Sequence, residues 1–400
     1  MSRHLQLATL IFVASAFLLP GEAAYGLVFY LSVMPPLAVA WRSIARPAPG
    51  TALALALIAL SGLTLIWGEG NAHRIFGFAL GAVATAAFFM ALRITLADPR
   101  WRRRFATLLI CAGAGNAAFS LLTSFQTLLS GERILGWGVT RQPILGGSVM
   151  AACYLTALFR LFEPAESGRK RHLYLGAAAL MAVFILAMQS RGALLAATGA
   201  TLLFFGASSS RWRALAGVLA LTAIWLLFAP INLRAHVTRL LLERGTSHRL
   251  EIWQTTWALI RQKPLFGHGL AANVPPSTTG FPHNLYLSLL FYSGAVGLLL
   301  FGGLATTVTL RLRRMAPGPE RAWIAALWLN GLLAGITDLG QITKGPGPLW
   351  FILWLPIGLA LAVPVSPRAT ASVPHAPATP PPLPGAATAY PPAPRTQRHG

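Results

Sequence analysis

Three side chains carry most of the chemistry this sequence can be read for: Arg191, Arg249 and His283. Arg191 stands in Ser190-Arg191-Gly192-Ala193, at the start of an apolar run. Arg249 stands in Thr246-Ser247-His248-Arg249-Leu250-Glu251-Ile252-Trp253. His283 stands in Pro282-His283-Asn284-Leu285-Tyr286-Leu287, where another apolar run begins. A guanidinium stays charged at any physiological pH and makes paired, planar contacts with phosphate oxygens. A helix N-terminus adds unpaired N–H groups and partial positive charge. Two helix N-termini and two arginines on one side of a membrane would form a cradle for a diphosphate. An ordinary imidazole titrates near pH 6.5, and arginine charge and a helix N-terminus favour its neutral form. Neutral His283 could take a proton from a hydroxyl as that hydroxyl attacks, a contribution of about 10²–10⁴ in rate. The arginines would offset charge developing on a departing diphosphate.

Each residue also has a plainer reading. An arginine at the end of a membrane span can snorkel to the interface. Arg249 alone could be a solvated helix residue, and His283 alone a structural hydrogen-bonder. His248 and His268 could touch phosphate or acceptor, or stabilise turns. Trp253, Trp257 and Tyr286 could stack on sugar or pack at the interface. Asn284 and Arg141 complete the set of expected substrate contacts. His236, His248, His268 and His283 lack tight ligand spacing, and no Asp-x-Asp pair is present to bridge a divalent cation to a diphosphate. The expectation is transfer without metal or cofactor. Cys111 and Cys153 lie inside apolar runs and suggest neither a disulfide framework nor a metal site.

The elements that must position these residues are membrane helices. The chain is 55% hydrophobic and 10% charged, against about 25% charged in soluble domains. Roughly twelve apolar stretches are long enough to span, or nearly span, a bilayer. They fall at 5–20, 24–41, 51–67, 75–92, 106–129, 146–162, 173–189, 192–208, 214–230, 284–308, 322–337 and 348–365. The first could be a cleaved signal peptide, but a retained span is the favoured reading. Arg42 and Arg46 follow the second stretch, Arg102 and Arg103 the fourth, and Arg160 and Arg169 the sixth. Arg211 and Arg213 follow the eighth, Arg311 and Arg313 the tenth. The positive-inside rule makes these loops and both termini cytoplasmic. The net charge of +22 then reflects topology, and no nucleic-acid partner is expected. Arg191, Arg249 and His283 fall outside, as do Glu22, Glu69, Glu132, Glu243, Glu251 and Asp338.

The expected organisation is an all-α integral membrane protein with nine helices in 1–230 and one long outer loop in 231–283. Three more helices would follow in 284–365, then a disordered, Pro- and Ala-rich cytoplasmic tail in 366–400. Within the loop, Thr246 or Ser247 would cap a helix whose apolar face is Leu250, Trp253, Trp257 and Ile260. Pro264 would end it, and two glycines would turn the chain. From Asn284 the apolar run reads as one continuous helix.

The combination of Ser190-Arg191-Gly192 with Arg249, Trp253, Pro264, Gly267-His268-Gly269, His283-Asn284-Leu285-Tyr286-Leu287, Gly294 and Gly297 resembles the bacterial O-antigen ligase and polymerase superfamily. Two departures stand out: Tyr292-Ser293, where many members carry an acidic residue, and Arg141-Gln142-Pro143-Ile144, where an Asn-rich segment is common. The resemblance implies a glycosyltransferase at the periplasmic face of the bacterial inner membrane. Its donor would be an undecaprenyl diphosphate-linked glycan and its acceptor lipid A-core oligosaccharide, with inversion at the anomeric carbon. Polymerase and protein O-oligosaccharyltransferase are alternatives within the superfamily. A polyprenyl-linked glycan transporter is the rival from another class. It would call for ionisable residues near mid-membrane, and the spans are nearly free of them.

Overall fold

The computed structural model describes residues 2–40, 48–207, 249–275 and 280–365. Among these, all regular structure is helical. The helices are α1 (Ser2–Leu18), α2 (Glu22–Ser32), α3 (Met34–Ala40), α4 (Pro49–Leu63), α5 (Ala72–Ala97), α6 (Pro99–Thr123) and α7 (Phe125–Leu129). They continue with α8 (Pro143–Phe162), α9 (Gly168–Ala187), α10 (Arg191–Ala207) and α11 (Arg249–Ile260). The last three are α12 (Leu285–Arg314), α13 (Pro319–Thr337) and α14 (Leu355–Ala362), the last preceded by a π-helical turn at Trp350–Trp354.

Among the described residues, seven helical segments are long and apolar enough to cross a membrane: Glu22–Ala40, Pro49–Ile66, Ala72–Ala97, Pro99–Thr123, Pro143–Phe162, Gly168–Ala187 and Leu285–Arg314. Arg3–Leu18, Arg191–Ala207 and Trp350–Ala362 are shorter apolar helices. This is a multi-pass membrane protein. The expected span at 322–337 falls within α13, a helix that is not among these seven segments. The expected span at 214–230, the cap at Thr246 or Ser247, and the tail lie outside the described residues.

Aromatic packing joins the helices. Trp350 stacks on Phe88 with ring centroids 4.3 Å apart, and its indole donates to Thr85 Oγ1 at 3.2 Å. Trp323 stacks on Phe159 at 4.5 Å and donates to Thr156 Oγ1 at 3.1 Å. Both tryptophans are fully buried, and each satisfies its one polar atom, as a buried indole must. Asn330 Nδ2 donates to the Ser148 carbonyl at 3.1 Å, which sets α13 against α8.

α12 departs from the continuous helix expected of its sequence. It is broken at Gly294 (φ +65°, ψ −164°), a conformation open essentially only to glycine. The break frees backbone groups, which are costly to leave unpaired in an apolar surround. The segment after α11 pairs with them. His268 N donates to Phe291 O at 2.7 Å and Gly269 N to Tyr292 O at 3.0 Å. Across the break, Ala295 N donates to Pro264 O at 2.8 Å and Val296 N to Leu265 O at 3.3 Å. The approach needs bare glycine on both sides. A Cβ at Gly294 would lie 2.2 Å from the Leu265 carbonyl carbon, and one at Gly267 would lie 2.6 Å from that of Tyr292. The Pro264-to-Gly269 motif is thus a backbone splice for a broken helix.

Charged residues expected on the same side of a membrane meet one another. Lys263 pairs with Glu69 at 3.6 Å and Lys344 with Glu22 at 3.5 Å. At the other end of α8 and α13, Arg102 pairs with Glu320 at 2.6 Å. There also Arg103 and Arg160 reach Glu163 at 2.8 and 2.7 Å.

Candidate active site

His283 occupies the residue before the cap of α12, with φ +53°. Gln189, two residues before Arg191, has φ +47°, and these two are the only non-glycine residues with positive φ among the described residues. Such backbone costs of order 1–3 kcal/mol and must be held by its surroundings. Gln189 is held by its Nε2, which donates to Gly131 O at 2.9 Å. Its carbonyl accepts from Arg133 Nη2 at 3.0 Å.

His283 is held through its ring. Nδ1 hydrogen-bonds to Asp338 Oδ1, and Phe281 covers one ring face at 4.3 Å between centroids. Phe281 in turn lies on Gly340, where a Cβ would come within 2.6 Å of the phenyl ring. The His283 side chain is 19% exposed, while that of Asp338 is 1% exposed. Asp338 Oδ2 accepts from Gln142 Nε2 at 3.0 Å. The Gln142 amide is itself oriented, because Oε1 accepts from Leu145 N at 2.6 Å as the N-cap of α8. When the imidazole is neutral, a carboxylate at Nδ1 favours the tautomer with its proton on Nδ1 and its lone pair on Nε2. A carboxylate on Nδ1 both orients the ring and stabilises the imidazolium that forms when Nε2 takes a proton.

Arg191 is the first residue of α10 and half-buried. Its neighbour Gly192 packs so tightly on α13 that a Cβ there would lie 2.5 Å from Thr337 Oγ1. The Arg191 end of α10 therefore abuts the residue that precedes Asp338. Arg249 is the first residue of α11, also half-buried. One turn on, the Trp253 indole donates to Pro282 O at 2.9 Å, tying α11 to the residue before His283. The starts of α8, α10 and α12 and the end of α13 are thus gathered at one end of the bundle.

The other expected contacts have structural work. Asn284 caps α12, with Oδ1 accepting from Tyr286 N and Leu287 N at 3.0 Å each. Its Nδ2 donates to Ile336 O at 3.1 Å. Tyr286 Oη donates to Leu332 O at 3.0 Å. His268 Nε2 bonds the Leu259 carbonyl at 2.8 Å, and its ring stacks on Phe291 at 5.0 Å. Tyr292, at a departure from the family pattern, donates to Gly280 O and accepts from Gln341 Nε2, both at 3.1 Å. Arg141 is exposed beside Gln142, and His248 lies outside the described residues. The buried stripe of α11 is Ile252, Thr256 and Ile260. The expected face fails at Leu250 and Trp257, which are 55% and 48% exposed. In a membrane protein both faces of a helix can be apolar, so periodicity alone does not pick the packed one.

Asp338 and Gln142 are the residues that sequence reasoning did not assign. Asp338 had one signal: it is an acidic residue at the end of an apolar run, in a chain with only ten Asp and Glu. Gln142 had none beyond its N-cap position before Pro143.

A family model described as O-antigen ligase matches residues 176–302. An O-antigen ligase of Pseudomonas aeruginosa is 28% identical over 382 residues, covering 92% of this chain and 92% of its own length. The chain is thus similar to the O-antigen ligase superfamily, by the family model over 176–302 and by the relative along nearly its whole length. The matched region holds Arg191, Arg249, the Pro264-to-Gly269 splice, His283 and Gly294. Asp338 and Gln142 lie outside it: the hydrogen-bond partners of His283 come from the end of α13 and the start of α8.

Proposed function

We propose that the protein is an O-antigen ligase, transferring a glycan from undecaprenyl diphosphate to lipid A-core oligosaccharide at the periplasmic face of the inner membrane. The observation that carries this reading is the Gln142–Asp338–His283 chain, set against the Arg191 end of α10. Similarity to a ligase along nearly the whole chain supports the reaction class. In the proposed reaction an acceptor hydroxyl oxygen attacks the anomeric carbon of the donor. The bond from that carbon to the diphosphate breaks, and its electron pair leaves with undecaprenyl diphosphate. The hydroxyl proton passes to His283 Nε2, and Asp338 offsets the resulting charge. Arg191 and Arg249 hold the diphosphate and take up the charge it gains, so no metal or cofactor is required. Direct attack opposite the diphosphate inverts the anomeric configuration. In this scheme α11 and the segment that follows it to His283 face outward, and the basic ends of α6 and α12 face the cytoplasm.

The test is purified protein with lipid-linked glycan and three acceptors: lipid A-core, a second lipid-linked glycan, and a protein acceptor. Product on lipid A-core alone supports the ligase reading. Chain extension of the second glycan would make the protein a polymerase, and glycosylated protein would make it an oligosaccharyltransferase.

A further inference from the structure

A second concave surface lies at the same end of the bundle as His283. It is a cavity of about 420 Å³ between the end of α6 and the segment leading to α8, lined among others by Phe119, Ser120, Ser124, Trp137 and Arg141. Its aromatic wall is fixed. Trp137 meets Phe119 edge to face at 5.4 Å, and the indole N–H donates to Leu18 O at 2.9 Å. Both rings remain partly open, at 39% and 46% exposure. The segment carrying Trp137 is anchored by Asn116, whose Nδ2 donates to the carbonyls of Phe17 and Trp137 at 2.9 and 3.0 Å.

Two polar features of this cavity are unspent. Ser120 is 2% exposed, and its hydroxyl has no hydrogen-bond partner among the described residues. Its neighbour Thr123 instead bonds back to Phe119 O at 2.8 Å. A buried hydroxyl left without a partner is unfavourable, and a ligand hydroxyl would supply the missing bond. The exposed Arg141 stands at the cavity, and no ion pair joins it to another described residue. A fixed aromatic wall, serine hydroxyls and a cation are the chemistry of a site for an anionic sugar. Beside it, Leu122, Phe125 and Leu129 are 76%, 55% and 72% exposed, an apolar flank for acyl chains.

We infer that this groove binds the acceptor, through an anionic sugar of its lipid-linked headgroup. The inference rests on the transfer reading above. There the donor diphosphate occupies Arg191 and Arg249, and His283 must meet the acceptor hydroxyl. Arg141 adjoins Gln142, whose amide holds Asp338 and through it His283. The groove therefore opens beside the chain of residues that orients the base.

The experiment uses full-length protein in lipid nanodiscs, with lipid A-core lacking O-antigen as the probe. Arg141→Glu should raise the acceptor KM by about 10- to 100-fold, the loss of one charge-assisted contact. Its kcat should stay within about threefold of the parent, donor affinity should not change, and Arg141→Lys should recover most of the loss. An unchanged acceptor KM overturns the inference. So does a loss confined to donor affinity, or displacement of the probe by anionic phospholipid vesicles as effectively as by lipid A-core. Transfer to a different acceptor would defeat the ligase reading alone, and the same KM comparison on that acceptor would still decide the groove. Probe binding to non-turning His283→Ala protein, with and without Arg141→Glu, decides it if transfer fails altogether.

Discussion

Asp338→Asn replaces one oxygen of a carboxylate that is 1% exposed, and its consequence can be worked out from the hydrogen bonds. In the parent, Asp338 accepts twice: from His283 Nδ1–H and from Gln142 Nε2. The introduced amide offers one acceptor and one donor. If its oxygen faces His283, its N–H₂ meets the Gln142 N–H₂. Gln142 cannot turn over to relieve this, because its Oε1 caps α8 by accepting from Leu145 N at 2.6 Å. The introduced amide must then point its N–H₂ at His283 Nδ1. That drives the ring proton to Nε2 and removes the lone pair that would accept the acceptor's proton. Loss of general-base help costs about 10²–10⁴ in kcat, or about 3–5 kcal/mol at the transition state. Donor affinity should be unchanged, since the arginines are untouched. Adding Gln142→Glu should rescue. A carboxylate at position 142 can still accept from Leu145 N while taking a hydrogen bond from the amide N–H₂ at position 338. The amide oxygen can then turn back to His283. Gln142→Glu alone sets two carboxylates together and should lower the rate. The assay is kcat for the four proteins of the cycle, with monodispersity and Tm as folding controls. The double variant should exceed Asp338→Asn by at least about tenfold, roughly 1.4 kcal/mol of coupling. Parental kcat in Asp338→Asn would show that Asp338 does not set the tautomer. Loss without rescue would show that the capped Gln142 does not dictate the amide direction.

Other expectations follow from the same geometry. Arg191→Ala and Arg249→Ala should each weaken donor binding by about 1.5–3 kcal/mol, with Arg→Lys restoring only part, as read by donor titration. Gly294→Ala should lower Tm in detergent, since it adds about 1–3 kcal/mol of backbone strain to a contact of 2.2 Å with Leu265; an unchanged Tm would argue against the splice. Transfer should persist in excess chelator, and loss restored by magnesium or manganese would require a metal in the diphosphate site. In a background lacking Cys111 and Cys153, Arg103→Cys should label only from the cytoplasm and Glu132→Cys only from outside; the reverse pattern would invert the topology.

The all-helical membrane class was legible because composition and apolar run length report directly on the solvent a helix faces. The placement of Arg191 and His283 at helix entrances was legible too, since Pro282 and the start of an apolar run mark such a position. The partners of His283 were not. Asp338 lies 55 residues beyond it, and Gln142 lies 196 residues before Asp338, so no local spacing couples them. The break in α12 was hidden for a different reason. Its bonds run between backbone groups, and Gly267, Gly269 and Gly294 are their only trace in the sequence.

The central claim is that His283 is the base and does not hold the donor. The direct measurement is single-turnover transfer by His283→Ala beside the parent, with donor affinity measured on the same preparations. The account predicts transfer slowed by about 10²–10⁴ and donor affinity within about twofold of the parent. Transfer at the parental rate, or donor binding lost together with transfer, would contradict it.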